Sequence, residues 1–379
     1  MKKMLLVCFC FSINLIVSQK INVRDYAATG NGLQDDTEAF NKAIKYAKAK
    51  FSANQKPSII YIPNGTYLIS GTIELDKYIS IEGEFVNTTV LRTKSRNSPV
   101  ISLVKNFNES EIYNSYNYVI NLTLQGPDVE NSFVGVKNIS KTETGSVGIL
   151  IKGLRTRLSD LQIEGFLNSG IEVNGTYYTF IEKSFLKNNA TGLLITNTST
   201  SVYLTQSEVR FNSIGILINN NSFANFISKN MIESNVATFN PIDTSTKQIN
   251  TKSTGRGIVI SNAAANIITE NYLENHFVNF TIEDSRKNII KNNFYAIGNS
   301  TVTTAKNQVS LQMIGNSLEN IFESNTFLTS DPSLEANSMI IGDGNYSTNR
   351  IDVGIDNKKL KSLINSVQKT STNHPQIPN

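Results

Sequence analysis

Cysteine and tryptophan are scarce in this 379-residue chain, which has two cysteines and no tryptophan. Cys8 and Cys10 both lie within the apolar run of residues 4–17, which follows two lysines. The run is too short to span a bilayer, so we interpret residues 1–18 as a secretory signal peptide. We therefore expect a secreted protein, extracellular or periplasmic. Its mature form would have no cysteine, which excludes disulfides and thiolate chemistry.

An excess of charge of either sign is also missing. The chain has 35 Lys and Arg against 31 Asp and Glu, and loss of the two signal-peptide lysines leaves 33 against 31, or about +2. So small a net charge argues against nucleic acid as a partner, and we expect no membrane partner either. His276 is the one histidine of the repeat region. No residue cluster has metal-ligand spacing, so we predict no cofactor and leave a bound Ca²⁺ open.

A repeat from about residue 118 to residue 330 organises the chain. Its units open on glycines at intervals of 22, 22, 23 and 42 residues: Gly148, Gly170, Gly192, Gly215 and Gly257. The last interval is one unit plus an insertion. Each unit holds two or three short segments of alternating apolar and polar residues, which is the pattern of strands. Units of about 22 residues built from short strands predict a parallel β-helix.

Alignment of the units predicts which side chains point inward. Two columns are apolar throughout, one passing through Leu158 and Ile181 and the other through Ile163 and Leu186. Between them, a third column ends in four asparagines that we expect to stack as a ladder of side-chain amides: Asn230, Asn271, Asn293 and Asn325.

The N-terminal region resembles a known family. Residues 22–44 contain Arg-Asp-Tyr, two glycines and Asp-Asp-Thr, and are followed by Ile-Pro-Asn-Gly-Thr-Tyr-Leu-Ile-Ser and by Ile-Glu-Gly at 81–83. These segments are similar to the entry motifs of the pectin-lyase-like superfamily, in the subgroup related to polygalacturonases, β-1,3-glucanases and phage tailspikes. The resemblance implies a right-handed parallel β-helix, all-β and single-stranded, that acts on polysaccharides. The polygalacturonase motifs and the Arg-x-Pro-x-x-Arg pattern of pectate lyases are absent, so no catalytic residue is carried over.

Three segments make up the predicted domain organisation. After residues 1–18, the β-helix domain covers 19–355, with an amphipathic helix near 36–51 that caps its open end. We expect Asp35 and Asp36 to cap this helix and form its entry turn. Residues 356–379 are predicted to form a short C-terminal helix and a disordered tail.

One corner of the repeat attracts functional interest. Three long insertions, 127–146, 236–256 and 299–308, all leave the chain just before the glycine-led strand. Loops clustered on one face of a rigid solenoid are a usual place for binding and catalysis. The outward row of that strand is mostly apolar and needs a cover, either a loop or another subunit: Leu150, Leu194, Leu217 and Val259.

Charged and aromatic residues concentrate on the neighbouring outward strip. We assign catalysis to Lys187, Glu208, Arg210 and Glu233, and substrate binding to Glu172, Arg256, Tyr272, Glu274 and His276. With strands about 4.8 Å apart, Glu233 and Glu274 would lie about 5 Å apart and Glu208 and Glu233 about 8 Å apart. The shorter separation is typical of retaining glycosidases and the longer one of inverting glycosidases, so the spacing does not distinguish the two mechanisms.

Two other interpretations of the strip stay open. For β-elimination, Lys187, Arg210 or Arg256 would neutralise a uronate, and Tyr272, Lys187 or His276 would remove the proton. Alternatively the charges form only a surface ladder of ion pairs, and His276 is a surface or turn residue.

The sequence favours a secreted carbohydrate-active enzyme that cleaves an extracellular polysaccharide, uronic-acid-containing by expectation, by β-elimination or hydrolysis. The alternative is a non-catalytic carbohydrate-binding or spike-like protein. In that case the apolar outer row would be the contact of a homotrimer.

Overall fold

The structure, a computed structural model, describes residues 19–103, 116–127, 145–235, 255–297, 309–329, 339–344 and 348–351. Its strands stack coil upon coil on three parallel faces, which we call sheets 1, 2 and 3 in the order the chain visits them. Sheets 1 and 2 share two strands and so form one 21-stranded sheet, and sheet 3 is a separate 10-stranded sheet. The predicted right-handed parallel β-helix is confirmed. The predicted signal peptide, the predicted C-terminal helix and nearly all of the three insertions lie outside the described residues.

Sheet 1 opens each coil, and each of its strands pairs in parallel with the equivalent strand of the next coil. Its strands are Gln19–Asn22, Ser58–Ile62, Ile79–Gly83, the first parts of Tyr118–Gln125 and Arg157–Glu164, Tyr177–Glu182, Thr200–Thr205, Phe226–Ser228, Ile267–Thr269, Ile289–Lys291, Ile321–Glu323 and Arg350–Ile351.

From the strand Tyr177–Glu182 onward, a tight turn leads from sheet 1 to sheet 2. The strands Tyr118–Gln125 and Arg157–Glu164 continue from sheet 1 into sheet 2 without a break. Its other strands are Asn31–Asp35, Gly65–Leu68, Thr89–Arg92, Phe185–Lys187, Glu208–Arg210, Met231–Glu233, Tyr272–Glu274, Phe294–Ile297 and Thr326–Thr329.

Sheet 3 contains the glycine-led strands. It consists of Ile73–Leu75, Ile101–Leu103, Val147–Ile151, Ser169–Asn174, Thr191–Thr196, Ile214–Ile218, Arg256–Ser261, Val278–Glu283, Val309–Gly315 and Met339–Gly344. The glycines are needed because adjacent coils touch there. A Cβ on Gly215 would lie 2.5 Å from the carbonyl oxygen of Gly257, and one on Gly192 would lie 2.6 Å from that of Gly215.

The N-terminal end is covered by the helix Thr37–Asn54, which follows the short 3-10 helix Val23–Tyr26 and the first strand of sheet 2. Its buried face joins the core of the first coils and consists of Ala39, Phe40, Ala43, Ile44 and Ala47. Of the two aspartates predicted at the helix entry, only Asp35 bonds to the first turn of the helix through its side chain. Asp35 Oδ1 accepts the backbone N–H of Thr37, whereas Asp36 makes no helix cap and accepts from the N–H groups of Thr29 and Gly30.

The core is a set of stacked apolar columns. Both predicted inward columns are buried, and only Phe327 at the C-terminal end is partly exposed. The predicted asparagine ladder is confirmed, with Nδ2–Oδ1 distances of 2.9, 3.0 and 3.1 Å along its four members.

Two further ladders occupy the other two corners of the coil. Asn189, Asn212, Asn235 and His276 connect sheet 2 to sheet 3. Between sheet 3 and sheet 1 the ladder consists of Asn225, Asn266, Asn288, Asn320 and Asn349. Each corner therefore has its own column of buried amides, which satisfies backbone groups that the turns leave unpaired.

Candidate active site

Six of the nine predicted site residues lie together on the outer face of sheet 2. We call them the sheet 2 strip: Lys187, Glu208, Arg210, Glu233, Tyr272 and Glu274. The strand register places Lys187, Arg210, Glu233 and Glu274 on four consecutive coils. A second row, two residues earlier on each strand, brings Glu208 and Tyr272 alongside.

Arg210 links two carboxylates of the strip. Its Nη2 lies 3.1 Å from Oε1 of Glu233, and its Nη1 lies 3.7 Å from Oε2 of Glu208. One coil earlier, Nζ of Lys187 lies 3.2 Å from Oε2 of Glu164. Both cations of the strip are therefore paired with carboxylates of the protein itself.

Glu233 has the perturbed carboxyl of the strip. Its side chain is 18% exposed, and burial raises its pKa, as do the nearby charges of Glu274 and Glu208, while Arg210 opposes the shift. Burial together with like charges is the arrangement that keeps a carboxylic acid protonated toward neutral pH.

Tyr272 and Glu274 form a second unit. The Tyr272 hydroxyl donates to Oε2 of Glu274 at 2.6 Å, and the tyrosine ring stacks on Phe294 with centroids 5.5 Å apart. Burial, together with the hydrogen bond and charge of Glu274, raises the pKa of Tyr272 to about 12. A phenol with that pKa stays protonated at neutral pH, so its hydroxyl holds the Glu274 carboxylate by donating to it.

His276 does not lie on the surface and cannot contact a substrate, which corrects the expectation for this residue. Its side chain is fully buried at the corner between sheets 2 and 3, bonded to Asn235 and Asn279. Burial lowers its pKa to about 4. It occupies the same position of its coil as Asn189, Asn212 and Asn235 in theirs.

Glu172 and Arg256 lie on sheet 3, outside the strip. The Glu172 carboxylate accepts from the side-chain amides of Asn168 and Asn174 at 3.3 and 2.7 Å. Arg256 is only 6% exposed, and burial lowers its pKa against the opposing charge of Glu283. The Arg256 side chain, predicted to bind substrate, is therefore buried at the start of its strand.

The apolar outer row of sheet 3 is in register, as expected. Leu150, Leu194 and Leu217 are half-buried, and Val259 is 4% exposed. Glu164, to which the sequence assigned no role, also belongs to this region. It is 6% exposed, pairs with Lys187, and accepts from Gln125 at 3.1 Å. Its place in the column of Lys187 and Arg210 was the available signal.

Among the described residues, no group of three or more His, Cys, Asp or Glu side chains is arranged to hold a metal ion. Within the same residues, no helix has the length and apolar character needed to cross a membrane. The strip itself offers two neighbouring carboxyl groups, Glu233 and Glu274, and the pKa of Glu233 is raised.

The chain is similar in sequence or in structure to several known proteins. A probable glucan endo-1,3-beta-glucosidase from Arthroderma benhamiae is 30% identical over 148 residues, or 37% of this chain and 16% of that protein. The chain thus matches less than a fifth of that relative's length.

Two solved structures share the fold. DFA-IIIase from Arthrobacter chlorophenolicus A6 superposes with a TM-score of 0.62 at 12% identity, covering 90% of this chain and 96% of the other. The A-module of a mannuronan C-5 epimerase from Azotobacter vinelandii gives a TM-score of 0.52 at 15% identity, covering 88% and 98%. The model of the rhamnogalacturonase A/epimerase, pectate lyase-like family matches residues 20–263, well over half of the chain. The pectin-lyase-like resemblance of the sequence is thereby confirmed, and the chain belongs to the rhamnogalacturonase A/epimerase, pectate lyase-like family.

Proposed function

We propose that this protein is a secreted glycoside hydrolase that cleaves a polysaccharide at the sheet 2 strip. The observation that carries the proposal is the adjacency of Glu233, whose pKa is raised, and Glu274 on the next coil. Glycosidases need one carboxyl that holds a proton and a second that is ionised, about 5 to 9.5 Å away. Neighbouring parallel strands, about 4.8 Å apart, bring two such groups into that range once their side chains splay.

Each residue of the strip has a distinct role in this proposal. Glu233 donates its proton to the glycosidic oxygen as the bond breaks. Glu274, oriented by the hydroxyl of Tyr272, acts as the ionised partner that attacks the sugar or activates water. Arg210, hydrogen-bonded to Glu233, keeps that carboxyl in place and limits the rise of its pKa.

Hydrolysis is favoured over β-elimination by the state of the three bases considered. His276 is buried, Tyr272 has a raised pKa, and Lys187 is paired with Glu164. Elimination also needs a cation for the substrate carboxylate, and the two cations of the strip already neutralise protein carboxylates. The same pairing favours a neutral polysaccharide over a uronate, as does the similarity to a glucan endo-1,3-beta-glucosidase.

The test is incubation of the mature protein with a soluble β-1,3-glucan, a xylan, alginate and polygalacturonate. Reducing ends are measured alongside the ultraviolet absorbance of unsaturated uronates. We expect new reducing ends without new absorbance. Glu233→Gln and Glu274→Gln should each lower kcat by about 10³-fold, the usual contribution of a positioned acid or base.

Glu82→Gln is the matched control. Glu82 lies on sheet 1, is 21% exposed, and pairs with Lys20 at 2.8 Å, so it copies the burial and ion pairing of Glu233 away from the strip. Its variant should keep full activity. Equal loss in all three variants would show a structural effect, and new absorbance would show a lyase.

If none of the four polysaccharides yields new reducing ends or new absorbance, the non-catalytic or spike-like alternative is favoured instead. In that alternative the ion pairs of the strip only stabilise the surface, and the outer row through Leu194 and Leu217 joins three copies. The mass of the protein in solution would then be that of a trimer.

A further inference from the structure

A pocket of about 490 Å³ opens at the corner between sheet 3 and sheet 1. This corner lies away from sheet 2, so the pocket shares no residue with the sheet 2 strip. Its volume falls within the range of small-molecule sites in proteins.

One wall of the pocket is a column of turn residues on four consecutive coils. Isolated parallel bridges fix its register: Phe223, Ala264, Arg286 and Leu318. Strands about 4.8 Å apart give this wall a length of about 14 Å. The small side chain of Ala264 between Phe223 and Arg286 creates the hollow. Phe223 is 45% exposed, and its ring contacts no other aromatic ring among the described residues.

The opposite rim is a column of polar residues from the same four coils: Asn221, Asn262, Asp284 and Asn316. Left-handed backbone conformations account for the residue type at Asn221, Asn262 and Asp284, with φ of 60°, 49° and 45°. Backbone conformation does not account for an exposed phenylalanine and an arginine on the facing wall.

The hydrogen bonds of this rim differ from those of the ladders. Ladder asparagines are buried and bond to each other, whereas the side-chain amides of Asn221, Asn262 and Asn316 are exposed and have no protein partner among the described residues. The Arg286 guanidinium likewise has none there. Asp284, which is exposed, uses Oδ1 to accept the N–H of Asn316 at 2.8 Å, and its Oδ2 has no hydrogen-bond partner among the described residues.

We propose that this corner pocket binds a segment of a polysaccharide chain, lying along the β-helix axis over Phe223 and Ala264. A sugar ring presents an apolar C–H face and a rim of hydroxyls. Phe223 and Leu318 provide apolar contact, and the amides, Asp284 and Arg286 provide donors and acceptors for hydroxyls. Arg286 and Asp284 lie together, so the pocket has no net charge that would select a simple anion or cation.

This binding site is independent of catalysis at the strip. A polysaccharide held at the corner of sheets 3 and 1 cannot reach Glu233 on sheet 2 with the same segment. The site would instead keep the protein on a polymeric or insoluble substrate, which raises the local substrate concentration.

The test is affinity electrophoresis of the mature protein in native gels that contain soluble β-1,3-glucan, xylan, alginate or polygalacturonate. The Glu233→Gln background prevents degradation of the probe. We expect retardation by at least one polysaccharide and an affinity about tenfold weaker for Phe223→Ala and for Ala264→Leu, which fills the hollow. Arg286→Ala should weaken binding as well.

Phe85→Ala and Arg157→Ala are the controls, because both side chains are exposed and lie outside the pocket. They should bind as the parent does. No retardation by any of the four polysaccharides, or equal retardation of parent and pocket variants, would overturn the proposal. This assay measures binding and not turnover, so its result can be interpreted even if the hydrolase proposal fails.

Discussion

Nε2 of His276 lies 3.0 Å from the side-chain Nδ2 of Asn235 on the preceding coil, so a histidine terminates an asparagine ladder. The other ring nitrogen lies 2.8 Å from Oδ1 of Asn279. An amide nitrogen only donates and an amide oxygen only accepts, so the neutral tautomer protonated at Nδ1 satisfies both neighbours. A second proton on Nε2 would face the Asn235 amide, donor against donor.

Lowering the pH from about 6.5 to about 4 is therefore expected to destabilise the wild-type protein. Over this window the unfolded chain binds a proton at His276 and the native protein does not, since burial lowers the native pKa to about 4. The free energy of unfolding then falls as pH falls, by at most about 1.4 kcal/mol per pH unit. Denaturant titrations of wild type and His276→Asn give the difference, because other groups cancel. Equal pH slopes would contradict the assignment.

Asn271→Ala should destabilise the protein by about 3 kcal/mol, since it strips partners from several buried groups at once. The Asn271 amide donates to the carbonyls of Ile227 and Thr269, and its Oδ1 accepts from Asn230. Asn41→Ala, on the exposed face of the capping helix, is the control and should change stability little. Denaturant titration measures both, and a loss at position 271 no greater than at 41 would show that the ladder contributes nothing.

Gly215→Ala should cost about 2 kcal/mol through steric overlap. The added methyl would lie 2.5 Å from the carbonyl oxygen of Gly257 and 2.8 Å from Nδ2 of Asn235, so two coils would have to separate. Gly71→Ala is a milder comparison, because its nearest neighbour is a threonine methyl at 3.2 Å. Thermal unfolding should rank the two variants in that order, and the reverse order would refute the packing argument.

Most of the fold could be predicted from the periodicity of the sequence. A glycine every 22 or 23 residues and two apolar columns were enough to place Ile181 and Leu186 inside, because a solenoid repeats the same environment on every coil. Two of the three ladders were not predicted from the sequence, although Asn189 and Asn225 occupy fixed positions in the repeat. Polar residues at turns suggest solvent, and only the stacked coils show that these amides are buried.

The candidate site was less readable from sequence than the fold. Register brought Glu233 and Glu274 together as expected, since it depends only on the repeat. Burial of Arg256 and His276 depends on how the corner between sheets 2 and 3 is packed, which no column of a repeat reports. The corner pocket depends on one small residue, Ala264, between two large ones, and such a hollow appears only when neighbouring coils are stacked.

Removal of the Arg210 charge should move the pH profile of the proposed hydrolase toward higher pH. The Arg210 guanidinium, 3.1 Å from Glu233, lowers the pKa of that carboxyl against the raising effects of burial and of Glu274. Arg210→Met leaves only the raising effects, so Glu233 keeps its proton to higher pH and the alkaline limb of kcat/KM shifts upward. Lys20→Met, which breaks the equivalent pair with Glu82 on sheet 1, should leave the limb in place. An alkaline limb unchanged in Arg210→Met would mean that Glu233 is not the acid, because a purely structural loss lowers activity at every pH alike.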